Sequence, residues 1–201
     1  MNCRLTPMYQ ERICEYPFAL SRLRFKKGSV ADFGSAGSLL VPYLCALGYE
    51  VFGVDFHEGV DADFVHHFPN YRFTKTNITN LPFENEAFDV SFAISTLEHM
   101  GADAKKAFEE IARVTKKGGQ IFISVPFGNG KVNLEYPEYP TQVYTEKSLS
   151  QLLNSAGVEI DEFAFFKRQW PIWRKAEKHE VESLDSSQQI QGVVCACVSK
   201  K

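Results

Sequence analysis

Along this chain, apolar runs too short for helices alternate with stretches in which apolar residues recur every three or four positions. Residues 30–33, Val-Ala-Asp-Phe, lie between Gly28 and Gly34 and predict a buried strand. The turn Gly34-Ser35-Ala36-Gly37-Ser38 follows. Leu39, Leu40, Tyr43, Leu44 and Leu47 then recur at helical spacing until Gly48 stops the helix. A second apolar strand, 50–54, ends on Asp55. Residues 71–74 predict a third strand, 88–94 a fourth, 121–126 a fifth, 158–166 a sixth and 193–198 the last.

Two longer helices fit between these strands. Ala104, Phe108, Ile111 and Ala112 give an amphipathic helix over 105–114. Asp103 stands at its N-cap, Lys116-Lys117 suit the negative end of its dipole, and Gly118-Gly119 end it. Thr145 followed by Glu146 predicts a second helix start, running through Ser155 and capped by Gly157. Residues 170–187 read as a long hairpin connection before the last strand. The first 28 residues precede the sheet: a helix from Tyr9, interrupted at Pro17, and a second short helix over 18–23. This segment reads as an N-terminal helical cap (1–28) on a single domain (29–201). The alternative is a lid over a ligand, with Glu11, Glu15 or Tyr16 reaching the site.

Strand, glycine turn, helix, strand and acid over residues 29–55 form a nucleotide-binding βαβ unit. Glycines allow positive φ and let a ligand approach the backbone. The first turn of the following helix offers free N–H groups to an anionic group. Asp55 falls 21 residues after Gly34, the separation at which an acid meets a ribose diol. Phe56, next to it, is placed to pack on an adenine ring or in the core. The dinucleotide pattern G-x-G-x-x-G is absent, as is a Tyr-x-x-x-Lys pair, which disfavours a nicotinamide-dependent oxidoreductase. A Rossmann-like unit with another ligand, or none, stays open on this stretch.

Composition narrows the class. With 201 residues, 44% of them hydrophobic and 13% aromatic, the chain is one globular domain able to bury a full core. Its 17 phenylalanines suggest an aromatic-rich core or pocket. A formal net charge of -3 argues against a general nucleic-acid binder. The five cysteines are odd in number and contain no C-x-x-C, so they read as reduced thiols of a cytoplasmic protein. The N-terminus lacks an apolar signal core, and no run approaches the length of a membrane span. The pair His66-His67 lies in turn chemistry with no carboxylate placed to complete a site, so no metal is expected.

The turn Asp32-x-Gly34-x-Ala36-Gly37-Ser38 resembles motif I of the class I S-adenosylmethionine (SAM) methyltransferases, D/E-x-G-x-G-x-G, with Ala36 and Ser38 standing for two glycines. The run N-I-x-x-L-P-F-x-x-x-x-F-D-V, from Asn77, is similar to a signature of the type 11 family within that class, in which an acid stands where this chain has Asn77. The segment Ser95-Thr96-Leu97-Glu98-His99 matches its S-x-x-E-H stretch, and residues 110–126 look like its pattern around the fifth strand. These segments cover 29–126. The resemblance implies a Rossmann-like α/β fold: a seven-stranded, mostly parallel sheet flanked by helices, with the last strand inserted antiparallel between the fifth and sixth.

It further implies SAM as cofactor and S-adenosylhomocysteine as product, held by Asp32, Gly34, Ser35, Ala36, Gly37, Asp55, Phe56, Asn77, Ile78, Ser95 and Thr96. The side-chain carbonyl of Asn77 can accept from the adenine amino group as an acid would. Transfer to an oxygen or nitrogen nucleophile calls for a base, and His99 is the candidate, against a positioning role. Glu98 reads as a structural or cofactor-side carboxylate. The loop after the fifth strand, with Tyr136, Tyr139 and then Tyr144, lies where open α/β sheets bind ligands and is expected to hold the acceptor, a small molecule or glycan intermediate, against a plain connecting loop. The chain is expected to work as a monomer or homodimer. A second reading, a non-catalytic SAM- or nucleotide-binding interaction module, is motivated by Ala36 and Asn77.

Overall fold

The computed structural model describes residues 11–57, 67–131, 141–169, 172–187 and 189–201. Eight strands form one sheet: β1 (Ser29–Phe33), β2 (Glu50–Asp55), β3 (Tyr71–Lys75), β4 (Phe88–Ile94), β5 (Thr115–Pro126), β6 (Val158–Gln169), β7 (Ile172–Ala176) and β8 (Gly192–Lys200). Their order is β3-β2-β1-β4-β5-β8-β6-β7. The pairings among β1 to β5 are parallel, and β8 is inserted antiparallel between β5 and β6. The sheet has eight strands rather than the expected seven. The added one is β7, at the start of the stretch read as a hairpin connection, which pairs antiparallel with the far half of β6 from Phe165↔Ala176 to Gln169↔Ile172. Isolated β-branched and aromatic residues in a charged run carry no strand signal of their own; the neighbouring strand edge supplies it.

The helices are α1 (Arg12–Leu20), α2 (Leu40–Ala46), α3 (Ala104–Val114), α4 (Glu146–Asn154) and the short α5 (Lys178–Val181). One apolar layer carries residues of α3, α4 and α5 with Phe33, Phe88, Ile123 and Val125. The opposite layer carries α1 and α2 with Val30, Phe92, Phe122 and Cys195. Phe92 and Phe122 stack with centroids 5.2 Å apart, side by side on paired strands. Each such side chain contributes about 1.5–3 kcal/mol on burial. Four cysteines are described, all buried free thiols.

Several boundaries differ from expectation. Helix α1 runs through Pro17 instead of breaking there. On α2 the buried face is Leu40, Val41, Leu44 and Cys45, while Leu39 (72%), Tyr43 (51%) and Leu47 (48%) are exposed. An apolar run wider than one helical stripe leaves its orientation to the sheet beneath. Asp103 makes no side-chain cap, because a preceding 3-10 turn (Gly101–Asp103) already leads the backbone into α3. Strand β5 starts at Thr115, directly after α3. The β-branched Thr115 bonds back to the Ile111 carbonyl at 2.7 Å and to the Ser91 hydroxyl at 2.7 Å. Gly118 and Gly119 serve the irregular start of the β4–β5 pairing rather than the helix end, and a Cβ on Gly119 would lie 2.7 Å from the Lys116 carbonyl. Thr145 does cap α4, in a reciprocal box with Ser148.

The two signature stretches touch. Arg113 of α3 donates to the Leu81 and Phe83 carbonyls at 3.0 and 2.8 Å, while Glu110 accepts from the Leu81 N–H at 2.8 Å. The E-I-x-R pattern therefore pins the L-P-F segment, and through it the loop after β3.

Candidate cofactor and active site

The parallel strands β1, β2 and β4 end together, and the predicted site residues gather at those ends. Asp32 is the last but one residue of β1 and is 2% exposed. Its Oδ2 has no hydrogen-bond partner among the described residues. Burial raises its pKa to about 7, against opposing pulls from the Ser38 hydroxyl and the Arg12 guanidinium. Gly34 has φ +82° and Gly37 φ +73°. A Cβ on Gly34 would sit 2.4 Å from the Thr96 hydroxyl. Thr96 itself is buried and donates to the Phe33 carbonyl at 2.9 Å, tying the end of β4 to the end of β1. Ser35 is buried in the turn and Ala36 is exposed.

Asp55 ends β2. Its two oxygens accept from the backbone N–H of Ala36 and of His57, both at 2.9 Å. Ala36 thus contributes its amide, which a glycine would offer equally. Phe56 is 67% exposed, and among the described residues its ring meets that of His57 edge-on, at 5.9 Å. It lies outside the core, the position an adenine-packing ring requires. The Asn77 carbonyl accepts from the Thr79 N–H and hydroxyl at 2.9 and 3.0 Å. The structure gives that oxygen to a local turn. The Ile78 side chain belongs to the core, which leaves its backbone for a ligand.

After β4, Ser95 holds φ +48°, a conformation costing a non-glycine residue about 1–2 kcal/mol. Its N–H bonds to the Ser124 carbonyl at 3.1 Å and its hydroxyl donates to Glu15 of α1 at 3.0 Å. Glu98 is 2% exposed with Oε2 unpartnered, and burial raises its pKa to about 8, with Glu15 adding to the rise. The His99 Nδ1 lies 3.4 Å from the Thr141 hydroxyl, and its Nε2 lies 3.9 Å from Glu98. Partial burial and the Arg12 charge lower the His99 pKa, so the ring is neutral near pH 7. Tyr144 is buried behind this group, its hydroxyl 3.4 Å from the Leu97 carbonyl. Tyr136 and Tyr139 lie outside the described residues. No cluster of metal-ligating side chains occurs among those that are described.

The sequence reading missed Arg12. It pairs with Glu15 in the next turn of α1 and, with Tyr16, lines the cleft that holds Asp32, Gly34, Gly37 and Ser38. The signal was present as Arg12, Glu15 and Tyr16 at helical spacings that share one face.

Glycines at positive φ, a buried carboxylate with an unpartnered oxygen, a second carboxylate at the β2 tip and an exposed ring next to it come together at the ends of β1 and β2. The site sits on a Rossmann-like α/β fold with a mostly parallel sheet. A family model described as a methyltransferase domain matches residues 31–123 of the chain. A demethylmenaquinone methyltransferase of Paenarthrobacter aurescens (strain TC1) is 29% identical over 143 residues, 67% of this chain and 53% of the relative. The chain thus spans about half the length of that curated relative. A SAM-dependent methyltransferase of Methanosarcina mazei superposes with TM-score 0.67 at 18% identity, covering 92% of this chain and 97% of the other. The 1,6-didemethyltoxoflavin-N1-methyltransferase of Burkholderia thailandensis, whose crystal structure holds its substrate and S-adenosylhomocysteine, gives TM-score 0.67 at 17% identity over 96% and 76% of the two chains.

Proposed function

We propose that this chain is a SAM-dependent methyltransferase that transfers a methyl group to an oxygen or nitrogen of a small molecule or glycan intermediate. The observation that carries the reading is the buried Asp32, with one oxygen unpartnered, at a turn whose glycine cradle opens beside Asp55. SAM supplies a methyl sulfonium open to in-line attack by the acceptor, so the protein mainly orients two reactants and excludes water. Asp55 fixes the turn and receives the ribose, and Phe56 packs on the adenine. Neutral His99, at the ends of β4 and β5, takes the proton of the acceptor. Tyr144 backs this end of the site, and Tyr136 and Tyr139 of the preceding loop contact the acceptor. The net charge of -3 supports a small acceptor over nucleic acid. No helix among the described residues is long and apolar enough to cross a membrane. Reduced cysteines support a cytoplasmic setting, with the chain acting as a monomer or homodimer.

Calorimetric titration with SAM, S-adenosylhomocysteine and a nicotinamide dinucleotide tests the cofactor. Micromolar binding of the first two and none of the third is the expected result. Absence of binding by either SAM species moves the interaction-module reading to the front.

A further inference from the structure

Helix α1 meets the motif turn at a cleft and touches the end of β4 through Glu15 and Ser95. Arg12 and Tyr16 face Asp32, Gly34, Gly37 and Ser38 across a cleft of about 30 Å³, room for a water or two. Arg12 is paired with Glu15, whose carboxylate is fully buried and also accepts from the strained Ser95 at 3.0 Å. The Arg12 guanidinium lies 6.0 Å from the Tyr16 ring centroid and feels the charge of Glu98 as well. Three buried carboxyl groups, Glu15 in contact and Asp32 and Glu98 within reach of its charge, share one guanidinium, and oxygens of Asp32 and Glu98 have no partner among the described residues.

One guanidinium does not offset the burial of several carboxyls, so burial favours the neutral forms of Asp32 and Glu98 and Glu15 is the carboxylate paired with Arg12. The arrangement is the complement of a zwitterion. An α-amino acid brings a carboxylate for Arg12, whose fork donates to it bidentately, and an ammonium for the acids. Two new charge pairs would replace the Arg12–Glu15 pair, and the orphaned oxygen of Asp32 would gain a donor.

We propose that Arg12 and Glu15 of α1 are the receptor for the amino-acid end of the cofactor, Arg12 taking its carboxylate and Glu15, with Asp32, its ammonium. The inference rests on the methyltransferase reading. It makes the N-terminal helix part of the cofactor site, with the Arg12–Glu15 pair holding that site closed until the zwitterion opens it.

The test compares two ligands by calorimetry: S-adenosylhomocysteine, and 5′-methylthioadenosine, which keeps the adenosine and thioether and lacks the amino acid. Each is titrated into the unmutated chain, Arg12→Gln and Glu15→Gln, with melting temperatures recorded to show that the variants are folded. Arg12→Gln should weaken S-adenosylhomocysteine about 10- to 100-fold, the value of one charge-assisted contact, and leave 5′-methylthioadenosine within about twofold. Glu15→Gln should act in the same direction on the first ligand only. Unchanged S-adenosylhomocysteine binding by Arg12→Gln overturns the inference alone. Equal losses of both ligands also overturn it, by assigning Arg12 a purely structural role. If the unmutated chain binds 5′-methylthioadenosine but not S-adenosylhomocysteine, α1 excludes the amino acid and the inference fails. If it binds neither, the methyltransferase reading fails with it.

Discussion

The Oδ2 of Asp55 accepts a hydrogen bond from the backbone N–H of Ala36 at 2.9 Å, so the acid at the tip of β2 holds the glycine turn that follows β1. One side chain therefore links the end of β2 to the turn after β1. Asp55→Ala should loosen the turn and remove the ribose acceptor together, weakening S-adenosylhomocysteine about 10- to 100-fold. Asp55→Asn, which keeps one acceptor for the Ala36 amide, should lose less. Calorimetry on the two variants checks this, and wild-type affinity in Asp55→Ala would mean that the ribose assignment is wrong.

Gly34 and Gly37 both hold positive φ, yet their surroundings differ. A Cβ on Gly34 meets the Thr96 hydroxyl at 2.4 Å, and Thr96 is fixed by its bond to Phe33; a Cβ on Gly37 meets nothing within 4 Å. Gly37→Ala should cost only the backbone strain, about 1–2 kcal/mol. Gly34→Ala should add overpacking of about 1–3 kcal/mol. Chemical denaturation measures both, and equal losses would contradict the distinction.

Burial holds the Asp32 pKa near 7 and that of Glu98 near 8. Both lie above their unfolded values, so the folded chain binds these protons more tightly. Their contribution to stability is complete below about pH 4 and is lost as pH rises through 7 to 8. The ligand-free chain should therefore melt at a higher temperature at pH 5.5 than at pH 8, and Asp32→Asn should flatten that dependence. An ammonium beside Asp32 favours its carboxylate, so S-adenosylhomocysteine should bind more tightly as pH rises through 7, with release of a proton. Titration in buffers of different ionisation enthalpy detects that proton; proton uptake would contradict the assignment.

His99 has a lowered pKa, so its basic form is present below the ordinary histidine range. Turnover should rise with pH on the acid side of about 6.5 and then level off. His99→Ala should abolish that limb and cut turnover about 10²- to 10⁴-fold while changing SAM affinity far less. Loss of both to the same degree, or of neither, would remove the base from His99.

The sequence by itself determined the parts whose signals are local. Strand runs, the glycine turn, the Thr145 cap and the spacing from Gly34 to Asp55 depend on residues within one element or one βαβ unit. Backbone sterics and periodicity act at that range, which is why β1 to β6 and β8 emerged in order, with the cofactor turn among them. Tertiary structure alone decided what depends on neighbours distant in sequence. The edge strand β7 exists because β6 offers it an open ladder. The exposed face of α2 follows from which stripe the sheet covers. Gly118 and Gly119 became part of a strand because Thr115 bonded back to α3. The contact between Glu15 and Ser95, 80 residues apart, ties α1 to the end of β4 and sets Arg12 in the cleft beside Asp32. Charge and burial set the chemistry there, and both are properties of the packed chain.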